Sequence, residues 1–195
     1  MNYIGEHLLP GQLGHLFILL FLIGSAVACL SYFFAAQVKL EPDNTHWKKL
    51  GRISFLTQSV SVLAIFIILF YIIYNHLFEY HYAWKHSSRS LEFKYLLACF
   101  WEGQEGSFLL WSIWHAMLGL VILFKIKNKW KAPVMGIISL AQFFLMLMIL
   151  GIYVGDLRIG NSLFALTRNE IPAPIFTKTL SFSLIKELVI PSESN

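Results

Sequence analysis

Four long apolar runs, 13–36, 53–74, 106–124 and 133–154, alternate along this chain with stretches that hold its charge. Crossing a bilayer core about 30 Å thick at a rise of about 1.5 Å per residue takes about 20 apolar residues. Each run is long enough, and none contains Lys, Arg, Asp or Glu, so none needs a special account of a charge buried in lipid. The pattern predicts an all-α, polytopic integral membrane protein with four transmembrane helices. Residues 1–154 form the helical module, and 155–195 form a tail, the start of a longer loop. The second helix opens with a polar half, Ser54, Thr57, Gln58, Ser59 and Ser61, whose groups are expected to bond a neighbouring helix. Pro42-Asp43-Asn44 punctuates the first connection as turn formers do, and Pro133 suits a helix start. In the tail, Pro172 and Pro174 break the pattern, and 180–189 reads as one short amphipathic helix.

Composition agrees: 57% of residues are hydrophobic and 13% charged, against roughly 45–50% and about 25% in soluble domains. The leader 1–12 carries Glu6 and no Lys or Arg, whereas a cleavable signal has a basic start, so the first helix is expected to stay in the membrane. Charge sets the direction. The short connections 37–52 and 125–131 hold eight of the fifteen basic residues, Lys39, Lys48, Lys49, Arg52, Lys125, Lys127, Lys129 and Lys131. Short loops rich in Lys and Arg stay cytoplasmic. The N-terminus, the long loop 75–105 and the tail are therefore expected on the outer, periplasmic side of a bacterial inner membrane. The net charge of +4 is accounted for by residues flanking helices and calls for no nucleic-acid partner. Cys29 and Cys99 form no CxxC pair and no metal-ligand spacing, and read as small apolar fillers.

Candidate chemistry concentrates before the third run, at Trp101-Glu-Gly-Gln-Glu-Gly-Ser107. Gly103 and Gly106 permit backbone angles other residues avoid. Ser107 or a neighbour is placed to cap the third helix, with Glu105 favoured by the positive end of its dipole. Trp101, Trp111 and Trp114 surround this start, as interfacial tryptophans do, so an ordinary helix entry explains the block as well as a functional bend does. His115 falls mid-span and is the most pointed candidate haem ligand, although a hydrogen bond within the bundle accounts for it equally. His76, His81 and His86 step by five, about 140° per step around a helix, and do not share a face. Arg89 and Lys85 beside His86 would suit a carboxylate or propionate, or simply solvent.

The stretch Tyr82-Ala-Trp-Lys-His-Ser-Ser-Arg-Ser-Leu91 followed by Trp101-Glu-Gly-Gln-Glu-Gly-Ser-Phe-Leu-Leu-Trp111 resembles the front portion of the CcmF-type cytochrome c biogenesis proteins of the CcmF/CcsA haem lyase family. In the tail, Ile159-Gly-Asn-Ser-Leu-Phe and Ala173-Pro-Ile-Phe176 are similar to the loop after the fourth helix in some members. The resemblance implies a role in joining haem to apocytochrome c, with haem as cofactor of the complex. It implies as partners a haem-carrier protein, apocytochrome c and the remaining helices of the lyase. Trp101, Gly103, Gln104, Glu105, Gly106, Ser107, Trp111, His86 and Arg89 become candidate docking residues for haem or partner. The family's W-x-W-D type block and His-Pro-Pro segment have no counterpart here, so no haem-ligand histidine and no catalytic residue carries over. A partial chain acting as scaffold is expected. The alternatives are a small b-type haem electron carrier using His115 with His15 or His76, and a structural subunit of an unrelated membrane complex.

Overall fold

The computed structural model describes residues 7–37, 43–89, 91–125, 130–154 and 157–170. The expected amphipathic segment 180–189 and Ala173–Phe176 lie outside the described residues. Helix α1 spans Leu8–Gln37, α2 Asp43–Tyr74, α5 Gln104–Lys125 and α6 Lys131–Leu150. All four are long and apolar enough to cross a membrane. Between α2 and α5 lie two short helices, α3 (His81–His86) and α4 (Phe93–Glu102). After α6 come β1 (Ile152–Val154), β2 (Leu157–Ile159) and one turn of helix, α7 (Thr167–Glu170).

The helices outrun the apolar pattern. Helix α1 starts at Leu8 rather than 13, because Pro10 falls in the first turn, where a missing N–H costs no intrahelical bond. Helix α2 starts at Asp43, so Lys48, Lys49 and Arg52 stand on its first turns rather than in a loop. Helix α6 ends earlier than the expected 154. Gly151 adopts the left-handed conformation (φ 69°, ψ 82°), which ends a helix at little cost for glycine. The chain then turns through an antiparallel hairpin pairing Ile152 with Ile159 and Val154 with Leu157. Among the described residues the regular structure is thus helical apart from this hairpin and an isolated bridge between Tyr80 and Leu166.

The long connection 75–105 is not a bare loop. Leu96, Cys99 and Phe100 fall on one face of α4 and are buried, spacing that drives an amphipathic helix onto the bundle. Phe100 stacks on Phe66 of α2 with ring centroids 4.6 Å apart.

Helix α1 packs mainly on α2 and α6, and α5 packs on α6 and α2. Two apolar clusters fill the interior. One, including Phe21, Ile65, Leu69, Leu109 and Met146, continues up to Tyr80, Tyr82 and Phe164. The other gathers Ala28, Tyr32, Phe55 and Met135. A polar layer lies between them along the helices. Gln58 and Gln142 are fully buried there. Gln58 Nε2 donates to Gln142 Oε1, and Gln142 Nε2 donates to the Ser112 carbonyl at 2.9 Å. The expected bonding of the polar half of α2 to a neighbour is therefore carried by Gln58, whereas the Thr57, Ser59 and Ser61 hydroxyls turn back to the carbonyls of Ile53, Phe55 and Thr57.

Residues 160–170 return to the bundle. The His81 amide donates to the Ala165 carbonyl and the Thr167 amide to the Glu79 carbonyl, both at 2.8 Å. The Thr167 hydroxyl donates to the Phe78 carbonyl at 3.0 Å. Tyr80, at the centre of this clasp, is 1% exposed. Its hydroxyl accepts from the Gly11 amide at 2.8 Å and donates to the His7 carbonyl at 2.6 Å. The first turn of α1 is thereby tied to the loop after α2.

Candidate functional site

The block singled out in the sequence forms a sharp joint. Helix α4 ends at Glu102, Gly103 is extended (φ −86°, ψ 158°), and α5 resumes at Gln104. One residue therefore separates two helices. Such a joint leaves the last carbonyls of α4 without intrahelical partners. Tyr82 of α3 supplies them: its hydroxyl lies 3.0 Å from both the Cys99 and the Phe100 carbonyl oxygens. Ser107 does not cap α5 as expected. Its amide bonds the Gly103 carbonyl within the new helix, and its hydroxyl donates backwards to the Trp101 carbonyl at 3.0 Å. Serine here closes the end of α4, because the helix starts earlier than the apolar run.

Both glycines are required by close approach. A Cβ on Gly106 would overlap the Phe100 carbonyl and the Tyr82 hydroxyl. A Cβ on Gly103 would stand 2.7 Å from Tyr82 Cε2, 3.0 Å from His86 Nε2 and 3.2 Å from Glu105 Oε2. Those distances show that Tyr82, His86 and Glu105 converge on the joint. The rings of Tyr82 and His86 lie 4.8 Å apart at 44°.

Burial disfavours the charged forms of Tyr82 and His86 at the joint. Burial pushes the Tyr82 hydroxyl well above the ordinary phenol range, opposed by a backbone hydrogen bond from Gly103. Burial likewise depresses the His86 imidazole below its ordinary value, with Glu102 pulling the other way. Burial raises the Cys99 thiol, and Glu102 adds to it, so the thiol stays protonated and unreactive at neutral pH. Beside the joint, His81, Lys85, His86, Glu105 and Glu170 line a small polar cleft of about 60 Å³. His81 and His86 reach it from the two ends of a six-residue helix, although they do not share a helical face.

The remaining candidates scatter. Trp101 is 52% exposed and Trp111 60% exposed, and Gln104 is also exposed. Arg89 leaves the joint and lies over the Phe78 ring at 5.7 Å. His115 bonds its own helix, Nδ1 to the Trp111 carbonyl at 2.9 Å. His15 is engaged at both ring nitrogens, Nδ1 with the Gly11 carbonyl at 2.9 Å and Nε2 with Ser162 Oγ at 3.1 Å. The residues sequence reasoning missed as site members are Tyr82 and Ser162. Two glycines three apart beside a helix start call for a bulky neighbour, and Tyr82 was the signal available.

Among the described residues no group of three His, Cys, Asp or Glu side chains is placed to hold a metal ion. A haem iron needs an axial ligand and often two. His115 uses only Nδ1 on its own helix and keeps Nε2, whereas both ring nitrogens of His15 are engaged. The pairing of His115 with His15 therefore does not present two free imidazole nitrogens to a haem iron.

The chain is a helical membrane protein whose jointed α3–α5 connection is clasped by the segment after the hairpin. No protein-family model matches the sequence, and no curated protein matches it. The fold is similar to a solved structure, the cytochrome c haem lyase CcmF, with a TM-score of 0.64 and 21% identity over 75% of this chain. The match covers 24% of that structure's chain, so this chain spans about a quarter of its length. The likeness establishes a CcmF-like fold.

Proposed function

We propose that this chain is a membrane component of a haem lyase complex that attaches haem to apocytochrome c, and that it acts as scaffold and docking module. The observation that carries the reading is the CcmF-like fold over 75% of the chain. The jointed block at Gly103 supports it: the joint is rigidly held from inside by Tyr82 while Trp101 and Trp111 are presented outward. Exposed tryptophans on a rigid support are efficient anchors for a partner. In this reading the N-terminus, the α3–α4 segment and the tail face the periplasm of a bacterial inner membrane. The partners are further helices of the lyase, a haem-carrier protein and apocytochrome c. Haem is handled by the complex in this reading, and holding two reactants in register is itself a large part of such catalysis.

A photo-crosslinking residue at Trp101 or Ser107, in cells making c-type cytochromes, tests this. Adducts with cytochrome maturation proteins are expected from these positions and not from Ile137, an exposed residue of α6. Adducts only with unrelated proteins, or a topology reporter placing Gly103 in the cytosol, would remove the reading. A strain supplying only this chain is expected to make no covalent haem product.

A further inference from the structure

Three cations from three helices meet at the last turn of α5. That turn ends in Leu123-Phe124-Lys125. Arg52 reaches it from α2 and lies over the Phe124 ring, 5.2 Å from the centroid. Lys131, the first residue of α6, donates to the Leu123 carbonyl. Lys125 adds the third charge from α5 itself. Arg52 and Lys131 are near enough for their like charges to oppose each other. Packing, rather than a run of basic residues, gathers the three.

The group is left with a surplus of positive charge. The negative end of the α5 dipole offsets about half a charge. Among the described residues no carboxylate pairs with Arg52, Lys125 or Lys131. Asp43 opens the same helix as Arg52, but about 14 Å away along the axis, beyond the screening length of about 8 Å in physiological salt. Donors also remain. The Lys131 ammonium gives the Leu123 carbonyl one of its three protons. Arg52 and Lys125 are exposed, and neither is held by a hydrogen bond among the described residues.

The surface beside these donors is apolar. Phe124 under Arg52, Val121 one turn earlier on α5, and Ile53 next to Arg52 are each more than half exposed. A free phosphate would use the donors and leave that surface bare, whereas a phospholipid covers both. We propose that this turn is a site for an anionic phospholipid, its phosphate held by Arg52, Lys125 and Lys131 and an acyl chain laid over Phe124 and Val121. Arg binds phosphate oxygens in bidentate fashion, and Lys acts as a point charge. A zwitterionic lipid would bring its own ammonium among three cations and bind less well. The site lies at the opposite end of α5 from the Gly103 joint and stands independently of the haem lyase reading.

The full chain, purified in mild detergent and presented with equal amounts of phosphatidylglycerol, phosphatidylethanolamine and phosphatidylcholine, is read by native mass spectrometry. Retention of phosphatidylglycerol about tenfold over either zwitterion is expected, a difference of about 1.4 kcal/mol. Arg52→Gln and, separately, Lys125→Gln each reduce that preference about fivefold, the worth of one cation at an anionic lipid surface. Lys125 is exposed, so its variant decides the matter should Arg52→Gln fail to fold. Lys49→Gln removes an equal charge nearer the start of α2 and keeps the preference, and excess inorganic phosphate does not displace the lipid. Equal retention of the three lipids overturns the proposal. So does an equal loss in Lys49→Gln, which would assign the preference to diffuse charge, and so does displacement by inorganic phosphate.

Discussion

Gly106 lies so close to Tyr82 that a single methyl group on the glycine would overlap the tyrosine hydroxyl. That hydroxyl is already committed to the Cys99 and Phe100 carbonyls, and the Phe100 carbonyl is itself the other atom the methyl would strike. The joint between α4 and α5 is therefore held by one side chain filling the space that a missing side chain leaves.

Gly106→Ala is expected to destabilise the protein by about 1–3 kcal/mol, the usual range for forced overpacking. Gly103→Ala is expected to cost less, since its new methyl meets movable side chains rather than backbone. Thermal unfolding of both variants in nanodiscs checks the order. Equal losses would show that the joint is looser than described.

Tyr82→Phe keeps the ring and removes the hydroxyl. A net cost of about 0.5–1.5 kcal/mol is expected for the lost hydrogen bond, with faster hydrogen exchange confined to the end of α4 and the start of α5. Uniform exchange changes across all helices would contradict a local role.

His86 gives the fold an acid sensitivity of defined sign. Its pKa in the folded protein is lowered, mainly by burial, so near the unfolded value of about 6.5 the unfolded chain binds more protons. Stability contributed at this site is intact above that value and falls as pH drops through it toward the lowered pKa. Unfolding midpoints from pH 8 to 5 should decline less in His86→Gln than in the parent. Parallel declines would assign the sensitivity to other groups.

In the polar layer, the Ser112 carbonyl fixes which end of Gln142 is the donor, and so which end of Gln58 must face it. Gln58→Leu or Gln142→Leu alone strands a buried amide, whereas the double change removes both. A coupling of about 0.6 kcal/mol, reaching about 1.7 at most, is expected from interhelical bonds of this type. A double-mutant cycle measured by unfolding in bilayers reads it directly, and strict additivity would mean the two amides act independently.

Trp101→Ala should leave stability within about 0.5 kcal/mol, as exposed positions do, while weakening crosslinked partner adducts from Ser107. Loss of folding in this variant would move Trp101 from a docking surface to a structural support.

The four spans were legible because apolar runs of bilayer length have few other uses, and Pro133 fell in the first turn of its helix as its chemistry requires. Helix ends were less legible. Lys48, Lys49 and Arg52 belong to a helix even though their charge reads as a loop, and α6 stops at Gly151 by a left-handed backbone angle that an apolar run does not display. The joint at Gly103 was visible as a glycine pair, but its orientation was not. Ser107 reads as a start cap by residue type and acts on the preceding helix because of where α5 begins. Contacts between distant segments, Tyr80 with Gly11 and His15 with Ser162, leave no periodic trace and emerge only when the chain is folded.

The clasp of Thr167 on residues 78 and 79 has a mechanical corollary. A tug on the polypeptide beyond residue 170 is transmitted through two hydrogen bonds to the turn bearing Tyr80, and from there to the opening turn of α1. Whatever engages the chain at that end pulls on the same anchor that holds the opening turn of the first helix.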